Sequence, residues 1–146
     1  MADVPHALGA MIAVLWLGFV LAISFLEAPL KFRAPHVSRE AALSIGRLVF
    51  RALVRVELVL LLLLLAALWQ AGWPPSARPW LWTVLAIVAV QRLWLLPRLD
   101  RRLAATLAGQ PVGGRREAHW LYAAGECLKV VALPALAWSL IQPLAS

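Results

Sequence analysis

Charge is scarce in this chain, and acid scarcer still. Only 14% of its 146 residues are charged, and seven of them are Asp or Glu. A soluble domain averages about 25% charged residues, so a water-facing globular surface is excluded. Cysteine is nearly absent. Cys127 stands alone, which rules out an internal disulfide and any Cys-based metal spacing. It reads as a small core residue. The catalytic signatures GxSxG, HExxH, the phosphate-binding Walker loop and the dinucleotide fingerprint are all missing. The three histidines, His6, His36 and His119, are scattered, so no facing pair for a haem can be placed, and no cofactor or metal is expected. The first five residues carry Asp3 and no base. That is unlike the positive start of a signal peptide, so the first helix is expected to be retained.

What is abundant is apolar length. Hydrophobic residues make up 63% of the chain, gathered in blocks that reach the roughly 20 residues a helix needs to cross a bilayer. Four spans follow, at about 6–30, 38–73, 79–96 and 117–141. The fold class expected is all-α, a four-helix transmembrane bundle forming one domain. Ser38 is a plausible N-cap for the second span. Gly72, Pro74 and Pro75 end it. Pro97 is expected to stop the third, and "GQPVGG" (109–114) to separate it from the fourth.

The bases set the orientation. Residues 31–55 hold six Lys or Arg and residues 98–116 hold five, while the 70–79 turn has only Arg78. Basic loops stay in the cytoplasm, so both termini should lie outside, in the periplasm of a bacterial inner membrane. The net charge of +7 then reflects topology and attraction to anionic membrane lipids. It is not a nucleic-acid footprint. The tryptophans fit interfacial belts, with Trp69, Trp73, Trp80, Trp82 and Trp138 at the outer edge, Trp94 and Trp120 at the inner, and Trp16 deeper. A faint tandem repeat, 1–75 and 76–146, is suggested by two similar series. Pro29, Glu57 and Trp69 are 28 and 12 apart, and Pro97, Glu126 and Trp138 are 29 and 12 apart.

Ionisable residues inside the spans carry the functional signal, because each costs roughly 2.5–3.5 kcal/mol on insertion scales and usually faces a partner in the bundle. Lys129 falls at the midpoint of the fourth span. Its stem is too short to reach an interface about 15 Å away. Glu126, at i,i+3, can pair with it. His119, Tyr122, Glu126 and Lys129 fall within roughly an 80° arc of the helix, one polar stripe. Glu57 lies about 200° around the second span from Arg55. It must therefore look to another helix, where Arg92 is the natural partner. Glu27 could pair with Lys31, Arg55 or Lys129. Arg47 and Arg51 read as a basic entry face at the headgroups. Pro29 frees the carbonyl of Phe25, and a helix break there would open toward a polar cavity.

These residues define one inward-facing pocket walled by Glu27, Lys31, Arg55, Glu57, Arg92, His119, Tyr122, Glu126 and Lys129. Leaving out His and Tyr, it holds three acids and four bases. The surplus suggests a small amphipathic or anionic ligand, held by Lys129 and the arginines while Glu126 or Glu57 exchanges protons, as in a carrier or carrier subunit. Two alternatives remain open. One is an enzyme acting on a lipid or isoprenoid, with Glu126 as acid or base and His119 or Tyr122 assisting. The other is an accessory subunit of a larger membrane complex. A homodimer is expected because four short spans make a thin wall.

"EAPLKFRAP" (27–35) and "IGRLVFRALVRVEL" (45–58) resemble a group of small bacterial four-helix membrane proteins of unknown activity. The resemblance covers the first half of the chain and implies the four-span fold and no particular activity. It also implies an asparagine at position 54, where this chain has Val54, so no polar contact is expected from that position.

Overall fold

A computed structural model describes residues 3–69, 71–110 and 117–142. Most of the 109–114 separator lies outside the described residues. Among those residues every regular element is helical. Four helices are long and apolar enough to cross a membrane: Val4–Lys31, Arg39–Trp69, Arg78–Leu107 and His119–Ile141. This is a multi-pass membrane protein.

The second span begins where its cap signal stands. The Ser38 hydroxyl accepts the Ala41 backbone N–H at 3.1 Å, satisfying one of the helix's orphan donors. At 31 residues it is about 46 Å long, well beyond a hydrocarbon core of about 30 Å. Its first turns carry Arg39, Arg47 and Arg51. The fourth helix, Glu117–Ile141, keeps its course through Pro134.

The two prolines expected to break or stop helices do neither. The first span winds as α-helix over Asp3–Val20, widens to a π-helix over Leu21–Glu27, and returns to α-helix over Ala28–Lys31. The third does the same with Arg78–Val90, Gln91–Leu95 and Leu96–Leu107. Ala28 N–H reaches back five residues to Ile23, and Leu96 N–H reaches five back to Gln91. Each wide turn ends two residues before a proline, Pro29 or Pro97. A proline lacks the N–H and crowds the carbonyl four residues earlier. The extra residue in the turn relieves that conflict while the helix continues. So the third span does not stop before Pro97 but continues to Leu107, and the expected break at Pro29 is a wider turn.

The first span is the hub. It packs along the fourth and against the second, and the third packs on the fourth. The second and third spans approach each other mainly through residues 96–107 of the third. His6 Nε2 lies 3.3 Å from the Gly72 carbonyl, and the Ser76 hydroxyl donates to the Ser139 carbonyl at 3.5 Å. Both described chain ends therefore lie at the 70s turn, opposite the basic segments. Near that turn end the core is dense: Ala13, Trp16, Leu64, Leu68, Val84, Leu133, Leu136 and Leu140 are buried. Gly9 keeps the first span close, since a Cβ there would stand 3.2 Å from Leu140 and 3.3 Å from Leu68. At the basic end the buried apolar cluster shrinks to Leu95 and Tyr122, with Phe50 and Leu99 packed against them. There the bundle opens.

Candidate functional site: a buried ion cluster beneath a basic cavity

Lys129 is fully buried, and its ammonium bonds two carboxylates. One is Glu126 on its own helix, at 2.7 Å; the other is Glu57 on the second span. Every helix contributes to the cluster. Trp16 Nε1 on the first span donates to Glu57 Oε1 at 3.0 Å, and the Ser24 hydroxyl donates to Glu126 Oε2 at 2.6 Å. From the third span, Gln91 Nε2 donates to Glu126 Oε1 at 2.9 Å and to the Tyr122 carbonyl at 3.3 Å. Buried charges survive only when paired and hydrogen-bonded, and this arrangement supplies both. Gly125 makes the Gln91 contact possible: a Cβ there would sit 2.6 Å from Gln91 Nε2. Ser24 and Gln91 both fall in the π-helical stretches. The wide turns thus lie in the same layer as the cluster they help to fill.

Above the cluster, toward the basic end, lies a cavity of about 900 Å³. Its inner end is formed by Ser24, Tyr122 and Glu126. Its walls are apolar, with Phe25, Leu43, Phe50, Leu96, Leu99 and Leu103. Its mouth is basic, with Lys31, Arg39, Arg47, Arg51 and Arg102. Across the mouth, Arg47 Nε bonds Asp100 Oδ1 at 2.7 Å and Arg51 bonds Asp100 Oδ2 at 2.5 Å. The Tyr122 hydroxyl is buried with no hydrogen-bond partner among the described residues, as is Gln91 Oε1. The Tyr122 ring meets Phe50 edge-on at 5.4 Å.

The nine residues read as one pocket separate into four groups. Lys31, His119, Tyr122 and Glu126 line the cavity. Glu57 and Lys129 lie one layer deeper, bonded to each other and, through Lys129, to Glu126. Arg55 and Arg92 are exposed on the outside of the bundle, so Glu57 pairs with Lys129 and not with Arg92. Long arginine stems let these two heads move toward the headgroups, which a lysine at the centre of the fourth span cannot do. Glu27 takes the local partner, Lys31, at 3.3 Å. Lys31 in turn lies over the Phe50 ring, 5.3 Å from its centroid, and against Gly46. Cys127, read as core, is exposed at the cavity.

Four participants, Trp16, Ser24, Gln91 and Asp100, carry no signal in the charge pattern of the spans. Trp16 passed as apolar bulk, although its indole N–H needs a partner when buried. Ser24 and Gln91 are neutral and raised no charge signal. Arg47 and Arg51, placed at the headgroups, are held by Asp100. The i,i+4 spacing of the two arginines was legible; the acid 49 residues beyond Arg51 was not tied to them.

No curated protein and no solved structure matches the chain. A family model described as a domain of unknown function, DUF4149, matches residues 11–110. That stretch holds Trp16, Ser24, Glu57, Gln91 and Asp100, and by it the chain belongs to the DUF4149 family.

Proposed function

We propose that this membrane protein binds a small amphipathic anion in the cavity at its basic end, as a carrier or a subunit of one, and that this end faces the cytoplasm of a bacterial inner membrane. The observation that carries the reading is the cavity's own amphipathy: apolar walls beneath a mouth of Lys31, Arg39, Arg47 and Arg51. Such a space suits a molecule with an alkyl or isoprenoid body and a carboxylate or phosphate head. Its volume falls within the range of about 300–1,000 Å³ typical of ligand sites. The basic segments at this end support the cytoplasmic orientation. In this reading Lys129 does not touch the guest. It holds the carboxylate of Glu126 at the inner end of the cavity, and the arginines hold the head.

A second reading rests on the inner end itself. Glu126 and Tyr122 meet there and exposed His119 lines the cavity nearer its basic end, so acid–base chemistry on a bound lipid or isoprenoid would rest on Glu126 and Tyr122.

Native mass spectrometry of the gently purified protein, wild type beside the double variant Arg47→Gln/Arg51→Gln, separates these readings. A defined anionic amphiphile carried by the wild type and lost from the variant is expected. A substrate and its conversion product found together would favour the enzyme. Bulk phospholipid alone, equal in both, would overturn the ligand reading and favour an accessory subunit.

A further inference from the structure

We infer that Asp100 is a built-in stand-in for the ligand's anionic head, and that a carboxylate or phosphate monoester on an alkyl chain binds by displacing it from Arg47 and Arg51. The inference rests on the cavity being a ligand site and specifies how that site takes its guest. Each oxygen of the Asp100 carboxylate is held by a different arginine, at 2.7 and 2.5 Å. That is the two-donor arrangement an incoming carboxylate or phosphate would meet. The carboxylate comes from the third span and the guanidinium groups from the second, so the pairs cross the cavity mouth. They also fall in the region where, among the described residues, those two spans mainly pack together. Displacing Asp100 therefore does two things: it frees a pair of arginines for the head, and it loosens the contact that closes the mouth.

Energetics favour exchange. The Asp100 side chain is 28% exposed, and those of Arg47 and Arg51 are 30% and 46% exposed. Ion pairs this wet are weak and easily traded, unlike the fully buried pair at Lys129. Charge supports the direction. Arg39, exposed, also lines the cavity, so a second anion is attracted while Asp100 is still in place.

The test is titration of the full-length protein in detergent with oleate and with dodecyl phosphate, using dodecyl trimethylammonium as the cationic control. Wild type, Asp100→Asn and Arg51→Gln are compared, each checked for an unchanged thermal midpoint. Asp100→Asn should bind an anion about five- to tenfold more tightly than wild type, Arg51→Gln should bind more weakly, and the cation should not bind. The preferred anion distinguishes a fatty-acid-like guest from a phosphate headgroup. Wild-type binding that Asp100→Asn leaves unchanged or weakens would overturn the displacement inference and leave the cavity reading standing. Absence of binding in all three proteins would overturn both.

Discussion

Lys129 and Glu57 lie 72 residues apart in the chain and meet in the centre of the bundle, where the same ammonium also holds Glu126. One buried base thus joins the second span to the fourth. Glu126 extends the junction to the first span through Ser24 and to the third through Gln91. The cluster has the geometry of a keystone for the helix arrangement.

Removing the base alone should be severe. Lys129→Met leaves two buried carboxyl groups without their cation, and losing one partner of a buried pair typically costs about 3–5 kcal/mol. The triple variant Lys129→Met/Glu57→Gln/Glu126→Gln removes every charge and should recover at least half of that loss. Denaturant or thermal unfolding in one detergent measures both. A triple variant as unstable as the single one would contradict the assignment of the loss to uncompensated charge.

Gly125→Ala tests the close approach of the third and fourth spans. The new methyl would meet the Gln91 amide at 2.6 Å, pushing it from Glu126. Overpacking of this kind costs about 1–3 kcal/mol. Because the two residues touch, the effects should not add: Gly125→Ala in a Gln91→Ala background should cost less than in wild type. Strict additivity in the double-mutant cycle would count against the contact.

Tyr122→Phe should leave both the fold and anion binding intact. Its hydroxyl is buried at the cavity with no partner among the described residues, and replacing an unsatisfied polar group by an apolar one is nearly neutral or stabilising. The thermal midpoint should hold or rise, and affinity for an anionic amphiphile should be unchanged, because its head lies with the arginines at the mouth. A marked loss of stability without ligand would mean that the hydroxyl is satisfied within the fold.

The proposed membrane orientation makes a further prediction. Reporter fusions after the C-terminus and within the 70s turn should both read as periplasmic, and a fusion in the 31–38 loop as cytoplasmic. The paired contacts of His6 with Gly72 and of Ser76 with Ser139 already require the first two sites to share a side. Reporters on opposite sides would contradict the fold itself.

Much of this architecture is legible in the residues. The apolar blocks locate four spans, and the 3-4-3 spacing from His119 to Lys129 locates the polar stripe of the fourth helix. Rotation is what cannot be read. Helices that face lipid are apolar all round, so nothing in the second span says that Glu57 points to Lys129 while Arg55 points away. Proline misled for a physical reason too. Pro97 carries a strong stop signal, but a π-turn absorbs its missing donor and the helix runs ten residues further, to Leu107. That extension brings Asp100 to the arginines. The neutral partners Trp16, Ser24 and Gln91 become visible only once the charges they satisfy have been located.

Occupancy of the basic-end cavity by an anionic amphiphile is open to direct observation. Photolabelling tests it most directly, with a fatty acid bearing a diazirine in its chain, presented to the protein in vesicles and mapped by peptide mass spectrometry. The account predicts adducts on cavity residues such as Phe25, Phe50 and Leu103 that disappear in Arg47→Gln/Arg51→Gln and are competed by unlabelled fatty acid. Labels spread over the exposed outer residues Leu62, Leu63 and Val131, indifferent to the arginines and to competitor, would contradict it.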